Sequence, residues 1–162
     1  RFQVFAALMR RLPQPNTDSH FHGYLALAET VLNPVRWALE SELRFFDATT
    51  DATIHVLPGA ITDGASIPRL LWTLVGSPLR DARVCRAAVI HDMLYATCGL
   101  EGLYSRRESD RIFSDALHAA GVSALRRIVY YIGVRLGGWL GWRRYAANPH
   151  QIDANRVYIK VE

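Results

Sequence analysis

At 162 residues the chain is long enough to bury one core and too short for two comfortable ones. Half of it is hydrophobic and 21% is charged, which excludes a disordered chain. The net charge of +4 rests on arginine, with Lys160 as the sole lysine; it permits an acidic partner, argues for no sequence-specific nucleic acid, and leaves the oligomeric state open.

In chain order, residues 1–20 read as an N-terminal arm or short helix and loop, broken by Pro13 and Pro15. Its apolar run only loosely resembles a signal peptide. The stretch PNTDSHFHG is rich in turn formers, and strand-like material begins at Tyr24–Leu27. From Trp37 the residues Trp37, Leu39, Ser41, Leu43 and Phe45 alternate with Ala38, Glu40, Glu42 and Arg44, which predicts one half-buried antiparallel strand. Asp47–Asp51 is a turn and Thr53–Leu57 its hairpin return, interrupted by Pro58-Gly59.

Three helices are expected next. The first starts near Ser77-Pro78, places Val84, Ala88, His91 and Tyr95 on one face, and stops at Gly99. The second runs from about Ser105 to Ala120, with a capping box at Ser105 and Glu108 and a stop at Gly121. The third, about Ser123–Tyr145, is the most apolar, but Arg126, Arg127, Arg135, Arg143 and Arg144 argue against a transmembrane segment. Gly133, Gly137 and Gly141 recur every four residues along it and predict helix close-packing; membrane dimerisation is the sharper reading, and packing on the protein's own sheet or first helix the one the arginines favour. Val157, Ile159 and Val161 alternate as a closing strand. The expected fold is a single α+β domain over 1–162: a small antiparallel sheet, built from the hairpin at about 37–57 with N- and C-terminal strands, packed against about three helices.

Candidate chemistry gathers between Ile61 and Asp110. Asp63 precedes Gly64 in a turn, where it can cap its own backbone or serve as a functional carboxylate. Ser66 lacks a nucleophile elbow. His91-Asp92 is the half-motif of a metal phosphohydrolase, with Asp110 as the later acid, so a site could take a divalent metal through His91, Asp92 and Asp110; the upstream histidines His20, His22 and His55 do not fall on a helix. With no metal, no cofactor is expected. Asp110 lies at helical spacing from Phe113 and Leu117, on a buried stripe, where a carboxylate must be paired. Arg107, one turn earlier, and Arg106 at i−4 offer that pairing, and Asp92 on the neighbouring helix could share it; the expectation is a structural clamp of Asp92, Arg107 and Asp110. Cys85 and Cys98 stand 13 apart, about 20 Å of helix, and are expected as free, small hydrophobes.

TDGASIPRLLW, AAVIHDMLY and RRESDRIF, followed by a GWLGW-like helix, resemble a family of tailed-phage and prophage genomes, domain of unknown function 1353, over roughly residues 35–145. That resemblance implies a phage setting and no agreed activity. The first reading is therefore a virion-associated structural protein, a small tail or baseplate accessory binding other phage virion proteins, in the virion or the bacterial host cytoplasm during assembly. The alternative is a metal-dependent hydrolase of cell wall or phosphoesters using Asp63, His91, Asp92 and Asp110; a third is a phage protein that binds a host factor. A closed cluster with its hydrogen bonds satisfied favours the scaffold, and an open approach to His91 the enzyme.

Overall fold

The computed structural model describes residues 14–30, 37–62, 81–147 and 157–161. Seven strands and four helices occur among them. β1 (His20–His22), β4 (Leu43–Asp47), β5 (Ala52–Val56) and β7 (Val157–Val161) form one sheet in the order β1-β4-β5-β7. β2 (Leu27–Glu29), β3 (Trp37–Leu39) and β6 (Ile61–Thr62) form a second, in the order β2-β3-β6. Every pairing is antiparallel. With the helices that follow, this is an α+β fold.

The expected hairpin is present, with Leu43 opposite Val56 and Asp47 opposite Ala52 around the turn at 48–51. Asp51 takes a positive φ of 52°, which an aspartate tolerates better than most residues. The single strand expected from Trp37 to Phe45 is in fact two strands in two sheets. Leu39, Leu43 and Phe45 all reach the core, so the alternation runs unbroken through a bend at 40–42 where the chain changes sheets. β1 falls in the stretch expected as a loop; its one apolar residue, Phe21, pairs with Phe45, and the flanking histidines stay exposed as on an edge strand. The closing strand is as expected, completing the four-stranded sheet against β5.

α1 (Ala82–Ala96) is the centre of the molecule: every residue from Ala87 to Ala96 is buried. Asp81 caps it, accepting from the Arg83 amide, so the described helix begins after the expected Ser77-Pro78, which lies outside the described residues. Thr97 closes it, and Gly99 (φ 69°) lies within the short α2 (Cys98–Gly102). A Cβ at Gly99 would strike the Tyr104 backbone, so only glycine fits. α3 (Arg106–Ala119) starts on the predicted capping box, with Ser105 and Glu108 satisfying each other's backbone. It ends where Gly121 donates to the His118 carbonyl and Val122 to that of Leu117, a Schellman closure. α4 (Ala124–Ala147) then packs against both α1 and α3. No helix among the described residues is long and apolar enough to cross a membrane.

Along the glycine stripe Gly133 is buried and Gly137 half-buried, and beside it an added Cβ at Gly138 would collide with the Tyr95 hydroxyl. Gly141 sits against the same ring at 3.8 Å for a built Cβ. The neighbour is α1 of the same chain.

Candidate functional site

α1 and α3 carry the residues that matter, and their pairing follows from period. His91 and Tyr95 are one turn apart on α1, so both rings face α3; they lie 4.1 Å apart by centroid, and Phe113 of α3 closes against His91 at 4.7 Å. Asp110 projects from the buried stripe of α3 into the space between them, fully enclosed. Its Oδ1 accepts from His91 Nε2 at 3.0 Å and from the Tyr95 hydroxyl at 2.6 Å. Its Oδ2 accepts from Arg135 of α4 at 2.6 Å and, more distantly, from Arg106 at 3.5 Å. Arg106 also reaches the Val134 and Arg135 carbonyls, tying α3 to α4.

One carboxylate thus joins three helices. The guanidinium groups that serve it are Arg106 and Arg135, whereas Arg107, expected in the clamp, is exposed. Residues at i−3 and i−4 share a face, but only the i−4 side of Asp110 turns toward α4. Burial would raise the Asp110 carboxyl, and bonds from His91, Tyr95 and Arg135 more than offset it, so the group is held below its ordinary range. Burial, then the nearby negative charge of Asp110, pushes the Tyr95 phenol up.

His91-Asp92 diverge as neighbours on a helix must. Asp92 accepts from the Thr62 hydroxyl at 2.6 Å, at the end of β6, while His91 turns to Asp110. Asp92 is therefore tied to β6, while Asp110 takes its arginines from α3 and α4. Among the described residues no three metal-ligating side chains come together. Asp63 and Ser66 lie outside the described residues. Because Asp110 is an ionised acceptor, Nε2 must donate to it, and the neutral ring then carries its lone pair on Nδ1. No described residue hydrogen-bonds Nδ1.

A second charged cluster escaped the sequence reading. Arg111 forks onto Asp47 (3.0 and 2.7 Å) and also meets Asp115 at 2.6 Å. Asp47 further accepts from Thr50 at 2.7 Å, and Asp115 from the Asn16 amide at 3.3 Å. Asp47 resembles an ordinary turn former in sequence, which hid it; the readable signal was Arg111 four residues before Asp115 on the helix. Free Cys85 and Cys98 complete the inventory, and burial raises the Cys85 thiol to about 11, which makes it unreactive.

The family model described as "Protein of unknown function (DUF1353)" matches residues 37–134, which holds both clusters except Arg135 and Asn16. An uncharacterized protein of Sinorhizobium fredii, y4iH, is 38% identical over 97 residues, covering 57% of this chain. The chain spans 38% of the length of that relative. No solved structure matches.

Proposed function

We propose that this chain, which belongs to the DUF1353 family, is a structural protein in which Asp110 clamps three helices, the reading that a closed cluster with satisfied hydrogen bonds favours. The second reading is a hydrolase in which His91, oriented by Asp110, takes a proton from water. The observation that favours this second reading is the 3.0 Å bond from His91 Nε2 to a carboxylate that Tyr95 and Arg135 hold in place. A histidine fixed in that way presents Nδ1 as a base of set tautomer and direction. Water gives a proton to Nδ1 and bonds through oxygen to the acyl carbon or phosphorus; the proton then leaves with the departing oxygen. Asp110 stays ionised throughout, since its role is to orient the ring and balance its transient charge. Cell-wall esters or phosphoesters are the substrates of first choice for that reading.

The test is hydrolysis of p-nitrophenyl acetate and of bis(p-nitrophenyl) phosphate, with and without divalent cations. His91→Asn should lose about 10²–10⁴ in rate while keeping its circular dichroism. Wild-type rates no higher than those of His91→Asn on both compounds would remove the reading.

The burial of Asp110 and His91 carries the first reading, a structural accessory of a tailed-phage virion in which the cluster only clamps helices. It calls for the protein among the components of purified particles and for His91→Asn to leave assembly intact. Particles from a producing lysogen that lack the chain by mass spectrometry would exclude it.

A further inference from the structure

We propose that the outer face of α4 is a docking surface for an anionic lipid membrane, on which the helix lies without crossing. Leu125, Val129, Ile132, Leu136, Trp139 and Leu140 recur at spacings of three and four, so they form a single stripe along the helix, about 22 Å long. The opposite face, with Tyr130, Tyr131, Val134 and Gly138, is buried in the protein. Leu125, Leu136, Trp139 and Leu140 are 45–74% exposed and make up four of the six large hydrophobics exposed among the described residues. Scattered exposed leucines need no explanation, but a stripe in phase along one helix does.

Charge decides what covers it. α4 carries no acidic residue; of its five arginines, Arg126 and Arg135 are paired with Asp81 and Asp110, and Arg127 is buried against Ser114. Arg143 and Arg144 are exposed at its end, and the Arg143 guanidinium stands 5.2 Å over the Trp139 ring. A second copy laid along the stripe would offer no carboxylate from its own helix to meet Arg143 and Arg144. A helical peptide would seek a groove, whereas the stripe is the crest of a helix whose other side is buried. Leucine and tryptophan flanked by arginine is the composition of a helix seated at the headgroup level of an anionic bilayer. Arg143 and Arg144 are the charges that this orientation uses.

Cosedimentation of the full chain with vesicles tests this, using phosphatidylcholine alone and with about 30 mol% phosphatidylglycerol. The protein should pellet with the anionic vesicles and not with the neutral ones, and about 0.5 M NaCl should weaken the association. Leu136→Glu with Leu140→Glu should reduce binding at least about tenfold, with the thermal midpoint kept because both side chains are already in water. Arg143→Glu with Arg144→Glu should abolish the preference for phosphatidylglycerol. Binding that survives the leucine changes, or no binding to anionic vesicles, overturns the proposal. A dimer in sedimentation velocity that the leucine changes dissolve would assign the stripe to a second copy instead, and would equally overturn it.

Discussion

Asp110 shows how far one residue can be read from a sequence. Its spacing from Phe113 and Leu117 put it on a buried stripe, and a buried carboxylate must be paired. The identity of its partners was not readable: Arg135 is 25 residues away on another helix, and period alone does not separate Arg106 from Arg107. Asp110→Ala should cost about 3–5 kcal/mol in chemical denaturation, because it leaves the buried hydroxyl and ring of α1 and two arginines without their acceptor. Arg107→Ala should stay within about 0.5 kcal/mol, as for other exposed positions. If the two variants unfold together, Arg107 belongs to the clamp after all. A glycine comparison works at the same scale. Gly138→Ala must displace the Tyr95 ring and should cost about 1–3 kcal/mol, whereas Gly141→Ala, whose Cβ meets that ring at 3.8 Å, gains helix propensity and should cost less. Equal midpoints for the two would show that Tyr95 yields freely.

Elements were most legible where local chemistry closes them. Ser105 and Glu108 announce the start of α3, and Gly121 its end, because caps satisfy backbone groups within a few residues of sequence. Ser105→Ala should therefore lower stability by about 1 kcal/mol, checked by urea unfolding, and Glu108→Ala should cost no more than the double change. Additive losses would mean that the two ends of the box act separately. The sheets were less legible. A strand's period of two records only which face is buried, so Leu39, Leu43 and Phe45 look the same whether the chain runs straight or turns into a second sheet. β1 was hidden for the opposite reason: its exposed histidines follow edge pairing, which composition does not reveal. The site shares both fates, since α1 and α3 place His91, Tyr95 and Asp110 by period, while the Asp47–Arg111 fork spans 64 residues.

At the scale of the molecule, α3 carries two buried aspartates, Asp110 and Asp115, on different faces, and they respond to acid in opposite senses. Asp110 serves α1 and α4; Asp115 shares Arg111 with Asp47 on the β4 side. The Asp47 carboxyl is raised by burial but lowered more by its bonds to Arg111 and Thr50, so it ends below the ordinary 3.8. Asp115, with burial and the charge of Asp47 against it, is pushed up to about 6. Asp47 and Asp110 therefore contribute stability above 3.8 that is lost as pH falls through their lowered values. Asp115 does the reverse: its contribution is full below 3.8 and is lost as pH rises through about 6, since the fold prefers its neutral form. Asp115→Asn, uncharged at every pH, should thus gain on the wild type by on the order of 2 kcal/mol as pH rises from about 4 to 7.5. Asp47→Asn should instead lose ground to the wild type as pH rises from below the lowered Asp47 value toward 3.8, because it gives up the charged Arg111 fork, and should change little above that. Thermal unfolding from about pH 2.5 to 7.5 measures both. An Asp115→Asn difference that is the same at pH 4 as at 7.5 would mean that Arg111 keeps both carboxylates ionised, and that the two ends of α3 answer to acid alike.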